Sequence, residues 1–539
     1  MVAESIEFLN ATVLDGSCGD PFKAHVQVAD GRIHHIDDTP AGADRQVDLE
    51  GACLAPGFVD MHAHSELRLF DHPDAAEKLT QGVTLEVMGQ DGVSVAPVPE
   101  RHEDAWAKRV ESLLGQKDEW EWNTVAEFLD SLDSIETGVN CAYYAPHGNI
   151  RSHVADFDDR ALNGDELADV RDHLHKTIEN GAFAMSKGMI YPPSSYGRDP
   201  EFVALGEVLA DHDTLMVSHV WNETDHVVDS IERYIDICEQ AGCQPHVSHL
   251  KVGGESNWGA SEQIVATFDA ATERGTTVSF DQYPYTAGST MLTALLPPWA
   301  RTGDSDQMLD RLCDELVRDR IRTDIESVEG EWDNLARAAG TWDNILLTRT
   351  RSGDHEGKTI ADLADTWDVT PVDAMCDLLV DETLDVTMAD FVMAEEDIER
   401  FLSDSRGTIC SDGIFGGKPH PRAIGTFSRL IERYVREREV LPLDRAVNKM
   451  AGHPADILGL PDRGRVEEGY VADLVVFDPR KVRERATYES PLQLSLGMQF
   501  VLVNGQVVVE DGELTGARPG RVLRSFEEWN GNVRRDYRA

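Results

Sequence analysis

Two styles of hydrophobic patterning divide the chain. Residues 6–9 form a short apolar run that leads to a turn at Asp15-Gly16. Residues 24–28 alternate apolar with polar, and Asp30-Gly31 turns the chain into residues 32–36. Period-two alternation bounded by Asp-Gly predicts hairpins. The same style returns in residues 473–477, 500–504 and 507–510, the last followed by Asp511-Gly512. Neither group has enough strands to bury a face alone. Residues 1–56 and 454–539 are therefore expected to form two halves of one small β-domain.

Between them the pattern changes. Short apolar runs at 83–87, 140–144, 182–186, 215–218, 246–248, 278–280, 345–348 and 408–410 read as strands, with 57–59 as a further candidate. Amphipathic stretches separate many of them, such as Gly164–Glu179 and residues 225–241. Repeated strand–helix units predict a parallel sheet. The number of strands suffices for an α/β fold of the TIM (β/α)8 barrel type over residues 57–453. Residues 301–343 are acidic and helical and read as an insertion. No internal repeat or low-complexity segment interrupts the chain.

Charge changes the picture. Asp and Glu total 99 against 49 Lys and Arg in 539 residues, a formal charge of -50, and Lys is scarce beside Arg. The acids are spread along the whole chain, which fits a surface adapted to high salt, where screening shortens self-repulsion to a few Å. A halophilic source with a salt-rich cytoplasm is expected. Nucleic acid and anionic membrane are disfavoured as partners, because both need basic patches. The 8 Cys are scattered without CxxC spacing, as in a reduced compartment. Residues 1–10 lack a basic segment followed by an apolar one, and no apolar run approaches a membrane span, so a cytoplasmic location is expected.

The candidate chemistry sits at the ends of the predicted strands. His62 and His64 stand two residues apart after a strand, on one side of extended backbone, so both imidazoles can reach one ion. Lys187, His219 and His249 each follow a predicted strand, with gaps of 32 and 30 residues, about one strand–helix unit each. Asp412 follows the last one. One such residue alone is more often a satisfied polar group. The whole set in one register points to a metal site at the C-terminal mouth of a barrel.

The chain resembles the amidohydrolase superfamily and, within it, the D-aminoacylase (N-acyl-D-amino-acid deacylase) family. The resemblance rests on Pro56-Gly-Phe-Val-Asp-Met-His-Ala-His64, Ser248-His-Leu-Lys251 with Asn257-Trp-Gly259, and residues 281–290. It rests also on Ser411-Asp-Gly413 with His420-Pro-Arg422 and Gly425-Thr-Phe427, and on residues 472–479 and 519–524. It implies a TIM barrel and zinc, one or two divalent ions. His62, His64 and Asp412 would bind the more buried ion, and His219 and His249 the second. Asp412 would also be general base toward the attacking water and shuttle the proton to the leaving amine. Lys251, Tyr283 and Ser289 match positions that hold the substrate's α-carboxylate, with Tyr191 and Arg422 as helpers. The implied partner is a small molecule with a free carboxylate, and assembly into a homo-oligomer is left open.

Two departures from that family bear on the bridge between the metals. The family's bridging Cys lies in a Gly-Asn-Cys-Gly turn, and here the turn reads Gly89-Gln-Asp-Gly92. Where that family has Ser-Thr-Gly, this chain has Ser186-Lys-Gly188. In hydantoinase-like relatives a carboxylated lysine is the bridge. A carboxylated Lys187 is therefore the expected bridge, with Asp91 as second choice. Trp221 stands where the family often has Arg, and His147 is a candidate pocket residue. Two other readings stay open: a cyclic amidase of hydantoinase or dihydropyrimidinase type, and a non-catalytic scaffold on the same fold.

Overall fold

The computed structural model describes residues 5–117, 119–328 and 330–525. The parts of the two expected β-segments at 1–4 and 526–539 lie outside the described residues.

Strands from both ends of the chain enter one nine-stranded sheet. Its order runs Glu513–Leu514, Gln506–Glu510, Met498–Val503, Leu474–Phe477, Cys53–Pro56, Ile6–Val13, Phe22–Ala29, Arg32–Asp37, and Arg45–Asp48 also pairs with Ile6–Val13. The seam is antiparallel: Pro56 faces Leu474 and Cys53 faces Phe477. Alternation supplies the inner face, where Phe8, Val26, Leu54, Leu474 and Phe500 share one apolar cluster. Phe8 and Phe500 meet edge to face at 5.5 Å. Such a ring contact adds about 1 kcal/mol beyond its buried area and ties the two chain ends together. The hairpin turns expected at Asp30-Gly31 and Asp511-Gly512 hold. Both residues of each have positive φ, 49° and 79° in the first and 51° and 82° in the second. A two-residue hairpin loop twisted to match its strands requires that.

The middle of the chain supplies the parallel strands: β1 (Phe58–Asp60), β2 (Val83–Met88), β3 (Asn140–Tyr143, resumed at Ala145–Pro146), β4 (Ala184–Gly188), β5 (Leu215–His219), β6 (Gln244–Val247), β7 (Ser279–Gln282) and β8 (Gly407–Ile409). β1, β2 and the first part of β3 form one parallel sheet, and the second part of β3 runs with β4 to β8 in another. Past their ends, β1 and β8 meet in a parallel bridge between Ala63 and Gly413. Helices between the strands carry local start signals. Asn163 caps Gly164–Glu179, accepting from the Asp165 and Glu166 amides while Glu166 reaches back. Val227–Ala241 buries Ile231, Tyr234, Ile235 and Cys238 on one face, at helical spacing. The architecture is α/β, and no helix of the described residues is long and apolar enough to cross a membrane.

One strand expected among these belongs elsewhere. Ile345–Thr350 pairs antiparallel with Val386–Phe391, which also pairs with Ala287–Met291. A short apolar run looks alike in either kind of sheet, so periodicity alone does not distinguish them. This antiparallel sheet stands over the mouth of the parallel strands and carries Ser289 and Asp390 to it. Residues 301–343 are largely helical, with helices Ser305–Leu312, Glu315–Glu326 and Leu335–Ala338.

Candidate metal centre

Six side chains converge where the parallel strands end. His62 and His64 follow β1, Asp91 follows β2, His219 closes β5, His249 follows β6 and Asp412 follows β8. All six are buried. The Nε2 atoms of His62 and His64 lie 3.3 Å apart, as their i, i+2 spacing requires. Among the described residues these six form two ligand sets, His62, His64, Asp91 and Asp412, and Asp91, His219 and His249; His219 also groups with Glu223 and Asp333. Asp91 belongs to both. Its Oδ2 is 3.4 Å from His62 Nε2, and its Oδ1 is 3.3 Å from His249 Nε2. Asp412 Oδ1 lies 3.3 Å from His64 Nε2, and His219 Nδ1 lies 3.1 Å from His249 Nε2.

Electrostatics favour positive charge at His64 and His249, whereas burial lowers the His219 pKa to about 4. Burial alone lowers the His64 and His249 pKa values. Asp412 and Asp91 outweigh it at His64, raising it to about 9, and Glu223 and Asp91 outweigh it at His249, raising it to about 10. Burial pushes Asp412 upward, but Arg422 at 2.9 Å and the imidazoles hold its carboxyl below the usual range. Imidazole nitrogens and carboxylate oxygens packed face to face form a donor set that fits a divalent ion such as zinc. The backbone is strained at the same place. Asp91, His249 and Asp412 have φ of 55°, 34° and 46°. Each such residue costs on the order of 1–3 kcal/mol, and such outliers collect at functional sites. A Cβ on Gly92, next to Asp91, would come within 2.9 Å of the Lys187 Cα and the Gly188 amide, so glycine lets this turn press on β4.

Lys187, the expected first-choice bridge, stands apart from these six side chains. In the β4–β5 register Gly188 pairs with His219 and Lys187 with Ser218. Paired neighbours share a face and successive residues alternate, so Lys187 points to the opposite side from His219. Its Nζ sits over the rings of Trp221 at 3.9 Å and of Phe202 and Tyr234 at 4.7 Å, with no hydrogen-bond partner among the described residues. Ser186, one residue earlier, faces the site turn, accepting from the Gly92 amide and donating to Gly89 O. Burial lowers the Lys187 pKa to about 7. Between about pH 7 and its unfolded value the unfolded chain binds more protons, so the parent gains stability as pH rises through that window. Lys187→Met is expected to keep full metal content. It should exceed the parent in thermal stability at pH 6, with the margin shrinking toward pH 9. Metal loss, or a margin that grows with pH, would return Lys187 to the bridge.

A pocket opens over the cluster. His64, Asp91, His219, His249 and Asp412 lie on its floor, and Tyr191, Lys251, Tyr283, Ser289 and Asp390 line its wall. Lys251 Nζ is 2.7 Å from both Glu223 Oε1 and His249 Nδ1. The Tyr283 hydroxyl has no hydrogen-bond partner among the described residues, and the Arg422 guanidinium lies 4.3 Å over its ring. Ser289 Oγ donates to Met388 O, and the Tyr191 hydroxyl meets Thr290 Oγ1 at 2.8 Å. Burial raises the Asp390 carboxyl to about 7. His147 is not in the pocket: it is buried between Ser194 Oγ at 3.0 Å and Glu201 Oε1 at 2.8 Å.

Several supporting residues escaped the sequence reading. Lys78 Nζ bonds Asp60 Oδ2 at 2.6 Å and Ser411 Oγ at 3.0 Å and pairs with Glu86 Oε2 at 3.0 Å. This knot joins the ends of β1, β2 and β8 beneath His62 and Asp412. Asp281 receives the His249 amide at 2.7 Å and His246 Nε2 at 2.9 Å, which fixes the loop that carries His249. Glu86 inside the apolar run of β2, and Glu223 four residues after His219, were the available signals. A buried acid in a strand must have a partner.

The sequence profile of the amidohydrolase family matches residues 45–339 and 371–509. A D-aminoacylase of Alcaligenes xylosoxydans xylosoxydans is 32% identical over 515 residues, covering 95% of this chain and 96% of that protein. An N-acyl-D-glutamate deacylase of the same organism is 33% identical, covering 95% of each. Among solved structures, an N-acyl-D-glutamate deacylase from Bordetella bronchiseptica, complexed with zinc and a phosphonate mimic of the tetrahedral intermediate, superposes with a TM-score of 0.83. It is 30% identical, covering 97% of this chain and 99% of that one.

Proposed function

The chain belongs to the amidohydrolase family, and from that premise we propose that it is a zinc-dependent deacylase converting an N-acyl-D-amino acid and water into a D-amino acid and a carboxylate. The observation that carries this reading is the convergence of two ligand sets on Asp91 beneath a pocket walled by Lys251 and Tyr283.

His62, His64, Asp91 and Asp412 would hold one ion, and Asp91, His219 and His249 a second. When bound, zinc polarises the scissile carbonyl and makes water acidic enough to attack near neutral pH. The chain's own groups do the rest. Asp412, kept ionised by Arg422, takes a proton from the attacking water on a carboxylate oxygen and delivers it to the leaving nitrogen. Lys251 Nζ, the free Tyr283 hydroxyl and Ser289 orient the substrate through its α-carboxylate, with Tyr191 and Arg422 behind them.

The test is hydrolysis of paired N-acetyl-D- and N-acetyl-L-amino acids by zinc-loaded protein, beside a hydantoin. A D-preference is the expected result. Hydrolysis confined to the hydantoin would replace this reading with the cyclic amidase, and no turnover of any substrate would favour the non-catalytic scaffold. The outward-facing Lys187 supports the deacylase over the cyclic amidase.

The parallel strands support a (β/α)8 barrel over residues 57–453, closed through the Ala63–Gly413 bridge. The antiparallel seam supports residues 1–56 and 454–539 as one β-domain. The charge of -50 supports a cytoplasmic protein of a salt-rich cell. Its melting temperature is expected to rise between 0.1 and 2 M KCl as the acidic surface is screened; a flat or falling curve would refute salt adaptation.

A further inference from the structure

A second cavity lies against the catalytic pocket and shares Leu113, Ile190 and Tyr191 with it. Its wall is largely apolar, with Met291, Met308 and Leu384, but Arg109 and Arg301 also line it. Arg301 is only 6% exposed. Its Nη1 donates to Ile190 O at 2.8 Å, and its Nε has no partner. Arg109 donates to Pro192 O at 3.2 Å and Gly303 O at 2.9 Å, and its Nε is likewise without a partner.

The charge arrangement is what stands out. Acids outnumber bases 99 to 49 in this chain. Yet among the described residues neither guanidinium forms an ion pair. The two acids on the cavity wall are engaged elsewhere: Glu111 pairs with Arg351 at 2.8 Å and Asp385 with Arg349 at 3.0 Å. Burial lowers the pKa of both arginines, that of Arg301 to about 10, because no close carboxylate offsets the desolvation. Arg301, buried and bonded only to a carbonyl, lacks a counter-charge, while Arg109 is half-buried and lies 4.8 Å over the Phe157 ring; the planar fork of arginine is shaped to receive a carboxylate.

We infer that this cavity is an anion subsite in which Arg301 and Arg109 receive a second carboxylate of the substrate, distinct from the α-carboxylate held at Lys251. The inference rests on the deacylase reading and deepens it. The second carboxylate can come from the amino acid's side chain or from the acyl group, and the chemistry at the two arginines is the same.

The experiment compares kcat/KM of the zinc-loaded full chain for N-acetyl-D-methionine, N-acetyl-D-glutamate and N-succinyl-D-methionine. One acidic substrate is expected to exceed the neutral one by about tenfold or more, as charge-assisted hydrogen bonds provide. Preference for the glutamate derivative assigns the carboxylate to the side chain, and preference for the succinyl derivative assigns it to the acyl group. In Arg301→Met the acidic-to-neutral ratio should collapse toward one. Equal rates on all three substrates in the parent chain overturn the subsite without needing any variant. So does an equal loss on all three in Arg301→Met, which marks the arginine as a structural anchor. If none of the three is hydrolysed, the deacylase reading has failed on its own. Calorimetric titration of succinate into the parent and Arg301→Met then decides the subsite: binding that the variant loses supports it, and no binding or unchanged binding overturns it.

Discussion

Asp412→Asn is expected to lower kcat/KM by about three orders of magnitude with the chain still folded. Asn has the shape of Asp and tolerates positive φ, so the 46° backbone at this position and the bond from its amide to His62 O survive. The charge is lost. That removes the proton acceptor, leaves Arg422 without its partner at 2.9 Å and withdraws one oxygen from the set around His64. Zinc content measured beside the rate separates the causes. A large rate loss with most of the zinc retained assigns Asp412 to proton transfer, and a rate loss that follows zinc loss makes it chiefly a ligand. Activity within tenfold of the parent would remove Asp412 from the chemistry.

The second large effect is at Asp91. It alone belongs to both the His62/His64/Asp412 set and the His219/His249 set. Asp91→Asn keeps the turn between Gly89 and Gly92 but removes the negative oxygens that bring the two sets together. Zinc affinity is expected to fall roughly 100-fold or more, since even residues behind the ligands are worth 10- to 100-fold. Activity should fall with it and return in part at high zinc concentration. Competition with a chelator of known affinity measures this. Unchanged zinc affinity would show that the metal is held without Asp91.

The sequence made some of this legible for definite physical reasons. His62 and His64 could be paired because extended backbone puts i and i+2 on one side. His219 and His249 could be placed because a strand–helix unit has a characteristic length. Lys187 shares with His219 the spacing of a strand–helix unit, but its position within β4 differs. The register that pairs Lys187 with Ser218 turns it outward, and register is a tertiary property. Asp91 carried no periodic signal at all, because its place depends on a turn with positive φ pressed onto β4. Lys78 was hidden for another reason. It lies in the short helix Ala76–Leu79, where it reads as a solvated charge, and only the closing of β1, β2 and β8 around it makes it a buried counter-ion. Likewise Arg301 falls in a stretch that reads as a plain acidic insertion, and its burial depends on the loop after β4.

The seam between the two chain ends bears on how the protein is made. Cys53–Pro56 emerges early from the ribosome, and its partner Leu474–Phe477 follows roughly 400 residues later, on the order of 20 to 80 s at common elongation rates. During that interval one side of Cys53–Pro56 has no partner, so the nascent chain carries an open strand edge able to pair with a neighbour on the same message. Slow codons placed between the two partner strands would lengthen the exposure, and the yield of soluble protein should depend on elongation rate more than on the stability of the finished fold.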